Sequence, residues 1–349
     1  MKKIIIIASC FIIAIITGFV LMTFRDAGEF KILQPHSKYK CVKIANIPSP
    51  EDIAIDHSTG LAFISSSDWR AAMKGEFHQG AIFSYNLEGT PVLRNLTADL
   101  KIKFLPHGIS FYAAPDGRKY LFVVNHPLPR NCVEIFEIQK NSLVHRETVE
   151  GKLIISPNDI TAVGPRQFYI TNDHGSSSAL GKKLEDYLRM SRSNIVYYDG
   201  AKMRIVADGF SYANGIWATS DGKRLYAAAT TGKKFYEYER DADGNLKPYS
   251  QLDLGTGADN IDVDAKGIIR IAAHPKMITL LKYLGSKEIQ SPSQIVEVFK
   301  NEKGGYSFKE TYLNIGDELS ASSVAAGYKD RLLVGAVCEN HFLDCRAVK

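Results

Sequence analysis

Six short stretches of the 349-residue chain set a polar or small pair directly ahead of an apolar β-branched residue. They are Glu51-Asp52-Ile53, His107-Gly108-Ile109, Asn158-Asp159-Ile160, Asn214-Gly215-Ile216, Asp259-Asn260-Ile261 and, more loosely, Ser322-Ser323-Val324. Counted on the first residue, the spacings are 56, 51, 56, 45 and 63. Glu51, Asp52, Asn158, Asp159, Asn214, Asp259 and Asn260 are all oxygen donors. Four are carboxylates, which would repel one another and be driven to protonate if packed without counter-charge, so a cation is the economical partner. Calcium accepts six to eight oxygens from carboxylates, amides and backbone, whereas zinc demands His or Cys and magnesium a stricter octahedron. Asp and Asn also open strands and turns for local reasons. Recurrence at one spacing is what separates this group from ordinary turn formers.

Residues more than 200 positions apart need a scaffold to meet. From Cys41 onward the chain reads as short strands, among them LAFISSS, KYLFVVN, QFYITND, RLYAAAT, IIRIAAH and RLLVGAV, separated by turn signals such as PDG, SDGK, DADGN and DAKG. This is the pattern of an all-β propeller, sandwich or barrel. One helix is predicted to interrupt the strands, over 181–190. Six units of about 50 residues fall within the range of blade repeats and predict a six-bladed β-propeller. In that fold the equivalent position of every blade points at one mouth of the channel. In a β-sandwich, the rival, the same residues would be turn formers.

Composition narrows the function classes. With 43 Lys+Arg against 38 Asp+Glu the formal charge is +5, and no basic stripe interleaved with aromatics is present, so no nucleic-acid partner is expected. The 21 residues Ile4–Phe24 carry no charge and no proline, long enough to cross a bilayer as a helix. Lys2 and Lys3 ahead of this run place the body outside the cytoplasm, periplasmic or extracellular. We read residues 1–27 as a membrane anchor or signal segment, secreting the body if cleaved, and 28–349 as the propeller catalytic domain. Cys41, Cys132, Cys338 and Cys345 then lie in an oxidising space and allow three full pairings. Nothing in the sequence sets an oligomeric state.

Pro50-Glu51-Asp52, Pro106-His107-Gly108-Ile109-Ser110, Val124-Asn125-His126-Pro127, Pro157-Asn158-Asp159-Ile160, Thr171-Asn172-Asp173-His174, Ala213-Asn214-Gly215-Ile216, Asp259-Asn260-Ile261 and His274-Pro275 resemble, in the same order, the successive motifs of the paraoxonase/arylesterase family. The resemblance runs from Cys41 to Cys345. It implies a six-bladed propeller with two calcium ions that hydrolyses lactones and aryl esters. It further implies a catalytic calcium on Glu51, Asn158, Asn214, Asp259 and Asn260, and a structural calcium on Asp52, Asp159 and the Ile109 carbonyl. His107 and His126 match the family's His pair, and Asp173, His174 and His274 match further pocket residues. Cys41 and Cys345 match the bridge that closes the ring. Two departures stand out. Ala272-Ala273 precede His274 where the family has a free cysteine, and Gly175–Leu180 lacks the family's aromatic-rich character.

In chemical terms, a calcium with an open position stabilises the charge that develops on an ester or lactone carbonyl oxygen. A His with a pKa near neutrality suits removal of a proton from the attacking water, with a second His to take up charge. No Gly-x-Ser-x-Gly elbow is present. Two other readings are a gluconolactonase-like sugar-lactone hydrolase, which needs no His pair, and a non-enzymatic propeller that uses calcium as a structural bolt.

Overall fold

Strands that are apolar along their whole length need cover on both faces, and a ring of stacked sheets provides it. The computed structural model describes residues 2–127, 129–140 and 142–348. The chain forms a six-bladed β-propeller of antiparallel sheets. The innermost strands of blades I to VI are Pro50–Asp56, Pro106–Ala113, Pro157–Gly164, Ala213–Ala218, Gly257–Val263 and Ser322–Tyr328. Each packs on the next, and the sixth returns to the first.

Middle strands such as Ser193–Tyr198 and Arg331–Ala336 are buried at every position, while the outermost strands Ser142–Val149 and Leu246–Asp253 are largely solvent-facing. Propeller geometry explains the difference, because a middle strand contacts a neighbouring blade on either face and an outer strand looks outward. There is accordingly no single core. Six apolar clusters sit one at each blade interface: Phe122 and Val124 of blade II meet Phe168 and Ile170 of blade III, and Ile53 and Ile64 of blade I meet Val324 and Phe342 of blade VI.

The ring is closed by the start of the chain. Tyr39–Ala45 forms the outermost strand of blade VI, antiparallel to His341–Ala347, with Cys41 opposite Cys345. These two cysteines are disulfide-bonded across 304 residues, and Cys132 and Cys338 are free.

Three short helices interrupt the strands, where one was expected. The predicted segment 181–190 forms a helix shifted to Ala179–Leu188, because the Ser178 hydroxyl accepts from Gly181 N and caps it there. Trp69–Met73, capped by Asp68, is too short to show a helical period in sequence. Met277–Gly285 has no cap of its own. Its N-terminal amides at Ile278 and Thr279 are instead satisfied by the Glu29 carboxylate, at 2.9 and 3.0 Å. That partner is 249 residues away, so local pattern could not reveal it. All three helices join the second and third strands of odd-numbered blades, I, III and V. That end of the propeller is where the innermost strands begin.

A fourth helix, Lys2–Asp26, is apolar and solvent-exposed along most of its length. Its end is tied to the helix-bearing face: Asp26 pairs with Arg189, and the Ala27 carbonyl accepts from Met277 N.

Candidate metal centre and active site

The six motif pairs coincide with six breaks in strand register. In every blade the pairing of the innermost strand with its neighbour shifts at the motif: between Pro50 and Ile53, Pro106 and Ile109, Pro157 and Ile160, Ala213 and Ile216, Ala258 and Ile261, and Ser322 and Val324. A bulge takes residues out of the ladder and re-aims their side chains, here at the channel mouth. Odd blades carry two donors each, while even blades have a small second residue. Close approach requires the alternation. A Cβ on Gly108 would lie 2.5 Å from Asp159 Cα, and one on Gly215 would lie 2.6 Å from Asp259 O.

Four donor oxygens have nowhere to go within the protein. Glu51 Oε2, Asn158 Oδ1, Asn214 Oδ1 and Asn260 Oδ1 are buried and accept no hydrogen bond. Their residues are at most 4% exposed. An unpaired buried polar atom costs about 1–3 kcal/mol, so four of them, from blades I, III, IV and V, need a partner. An oxygen-binding cation fits this set. The nitrogens of the same amides are partly spoken for: Asn260 Nδ2 donates to Glu51 Oε1 at 3.2 Å and Asn214 Nδ2 to Thr230 Oγ1 at 3.0 Å. Asp259 Oδ2 is engaged by His274 Nε2 at 2.7 Å, which accounts for His274. Among the described residues no three His, Cys, Asp or Glu side chains form a metal-binding group by themselves. The site depends on amide oxygens.

Asp52 and Asp159 form a related pair. Asp52 accepts from Ile53 N at 2.8 Å and from Ile109 N of the next blade at 2.6 Å. Asp159 accepts from Ile160 N and Ile216 N, both at 2.7 Å. Each carboxylate oxygen thus keeps a lone pair beyond its backbone bond. Ile109 meets Asp52 through its amide. Burial, reinforced by Asp259, Asp52 and Asp159, pushes the Glu51 carboxyl well above the usual range, and burial lifts Asp52 to about 7 despite its backbone bonds. Burial and the Asp52 charge likewise push Asp159 well up. Without a cation these groups would hold protons instead.

The histidines stand beside this cluster. His107 Nδ1 lies 3.2 Å from His126 Nε2, and His126 Nδ1 lies 2.8 Å from Asn131 Oδ1. His107 Nε2 is 3.7 Å from the unpartnered Glu51 Oε2. Burial, with the neighbouring His126, drives His107 down to about 3, far from the near-neutral value expected, and burial lowers His126 as well. Asp173 and His174 form a separate pair on the wall. His174 bonds Asp173 Oδ1 at 2.6 Å and Asp186 Oδ1, on the helix Ala179–Leu188, at 3.0 Å. Lys182 of that helix donates to Ser156 Oγ at 2.6 Å, and Ser156 in turn donates to Asp173.

The arylesterase family model matches residues 41–346, nearly the whole propeller. This chain belongs to the paraoxonase/arylesterase family. It is 35% identical over 317 residues to human serum paraoxonase/arylesterase 1, covering 87% of this chain and 88% of that protein. It is also 35% identical over 328 residues to serum paraoxonase/lactonase 3 of Oryctolagus cuniculus, covering 91% and 92%. Among solved structures, a gluconolactonase from Xanthomonas campestris superposes with a TM-score of 0.54 at 14% identity, over 89% of this chain and 90% of that one. Such distant likeness speaks for the propeller alone.

Some neighbours of the His107/His126 pair and of His174 in this paraoxonase-family chain escaped sequence reasoning. Trp69, one of two tryptophans, places its ring 4.7 Å from His107 and 5.6 Å from His126. Asn131 orients His126, and Asn131 Nδ2 is itself held by Ile155 O. Tyr212, at φ 61°, lies edge-on to His174. None lies in a repeated motif. The only available signal was the long segment 67–80 between two strands, with Trp69 inside it.

Proposed function

We propose that this chain hydrolyses lactones and aryl esters in a calcium-dependent reaction. The observation that carries the proposal is the convergence of four buried, partnerless oxygens from four blades beside a hydrogen-bonded His pair. Family membership implies an ester hydrolase, and the relatives' names specify arylesterase and lactonase. Glu51, Asn158, Asn214, Asp259 and Asn260 would hold one ion, and Asp52, Asp159 and the Ile109 carbonyl a second. When bound, the outer ion supplies Lewis-acid stabilisation of negative charge on the substrate carbonyl oxygen.

The protein's own groups do the rest. His107 stays neutral across the physiological range, so it always offers an acceptor lone pair to a water. Its low basicity is offset by Glu51, whose ionised carboxylate at 3.7 Å would steady the imidazolium once formed. His126, fixed by Asn131, shares that charge through the 3.2 Å contact. Trp69 packs against both rings. The helix Lys2–Asp26 serves as the membrane anchor, with the disulfide-bearing propeller outside the cytoplasm.

Phenyl acetate and a panel of γ- and δ-lactones, assayed with and without chelator, test the class of reaction. Chelation should abolish both activities and lower the melting temperature, and calcium at 100 times its Kd should restore about 2.7 kcal/mol. His107→Gln should fold and retain calcium while lactone turnover falls by about 10²–10⁴-fold, with a smaller loss on the activated aryl ester. Full lactonase activity in calcium-loaded His107→Gln would remove His107 as the base.

A further inference from the structure

Two helices from different blades are joined at the end of the propeller where the innermost strands begin, and the residue that joins them belongs to neither site described above. Arg70 lies on Trp69–Met73, in blade I. Its Nη1 donates to the Tyr283 and Leu284 carbonyls of the blade V helix Met277–Gly285, at 2.5 and 3.1 Å. Its guanidinium also stands 4.5 Å from the centre of the Tyr283 ring. The residue before it is Trp69, the aromatic neighbour of both His107 and His126.

A helix of five residues is far too short to hold its own shape, so tertiary contacts set its place. Asp68 caps its N-terminus, accepting from Ala71 N at 3.0 Å, and Ala71 is its one buried residue. The longer helix is the fixed partner. Glu29 accepts from Ile278 N, from Thr279 N and, at 2.7 Å, from the Thr279 hydroxyl, and the Ala27 carbonyl accepts from Met277 N. Towards its other end the Tyr283 hydroxyl donates to Glu339 Oε1 at 3.2 Å, and Glu339 O accepts from Ser49 N at 2.6 Å, beside Pro50-Glu51. The last-turn carbonyls of this helix are thus presented from a held frame. A basic side chain there bonds carbonyls that lack helical partners and meets the negative end of the helix dipole. A planar guanidinium does so while lying against an aromatic ring.

We propose that Arg70 is a positioning residue for the reaction, clamping the helix Trp69–Met73 to Met277–Gly285 so that Trp69 stays seated against the His pair. The proposal rests on the reading of His107 and His126 as the groups that activate water. Asn131 fixes His126 through a hydrogen bond, whereas Trp69 is the contact that both rings share. Release of the clamp frees Trp69 and loosens the 3.2 Å contact between His107 and His126. Misplacement of a reacting group by about 1 Å can cost about 10²-fold in rate.

The test uses Trp69 as its own reporter. The chain has two tryptophans, and Trp217 packs away from the His pair, at the interface of blades IV and V, so Trp217→Phe leaves Trp69 as the sole indole. In full-length, calcium-saturated protein of that background, Arg70→Met should raise acrylamide quenching of Trp69 emission. It should also lower kcat on a δ-lactone by about tenfold or more, with KM and bound calcium at parental values. Arg70→Lys keeps the charge without the planar fork and should fall between the two. Parental quenching, or raised quenching with parental kcat, would overturn the proposal even if the melting temperature drops, leaving Arg70 as a link in the scaffold only. If Arg70→Met does not fold, Arg70→Lys decides by the same two readings: raised quenching with lowered kcat supports the clamp, and parental values overturn it. A parent inactive on lactones and aryl esters alike would instead defeat the functional reading, while quenching would still decide whether Arg70 holds Trp69.

Discussion

Replacing Asp186 by Asn tests whether charge holds the helix Ala179–Leu188 against the pocket wall. His174 points one ring nitrogen at Asp173 and the other at Asp186, an arrangement that favours a proton on both. Burial disfavours that charge, but the bonds to Asp173 and Asp186 outweigh it and raise His174 from 6.5 to about 9. A pKa raised on folding contributes stability that is fully present below about 6.5 and is lost as pH rises through about 9. The gap between those values corresponds to at most about 3 kcal/mol. Asp186 is 34% exposed, so solvent screens its share, and about 1 kcal/mol is the expected loss near pH 6 in Asp186→Asn. Denaturant unfolding of parent and variant under saturating calcium, from about pH 6 to about pH 9, should give curves that converge as pH rises. Parallel curves across that window, or a difference that widens with pH, would refute the reasoning.

Further expectations concern the scaffold. Cys345→Ser should lower stability by up to about 5–6 kcal/mol on the chain-entropy model, because the lost bridge closes a loop of 304 residues, and non-reducing peptide mapping of the parent should recover Cys41 joined to Cys345. Gly215→Ala forces a methyl to 2.6 Å from both Asp259 O and Ile261 N, backbone atoms that cannot swing aside. It should weaken calcium binding and lower the melting temperature, whereas Gly285→Ala, with nothing within 4 Å, should stay within about 0.5 kcal/mol of the parent.

What could be read from the chain alone were the features that repeat. The six motifs announced six blades because every innermost strand meets the same demand: a bulge, a side chain aimed at the channel, and then an apolar residue buried against the neighbouring blade. The donor types pointed to an oxygen-loving cation for the same reason. The closing bridge followed from family resemblance, since four cysteines allow three pairings.

Features made once, by contacts across the fold, were not legible. Met277–Gly285 is helical with an N-terminus satisfied from Glu29, and Trp69 reaches the His pair from a helix of five residues. The basicity of His107 is set by desolvation, which depends on how completely the blades close over it and has no counterpart in sequence context. Sequence by itself determined the repeat, the donor chemistry and the apolar N-terminal segment, all of them properties of local residue type and spacing. Tertiary structure alone decided which oxygens remain unpaired, which blades press together and how burial shifts each charge, because those quantities depend on what distant parts of the chain bring to the same few ångströms.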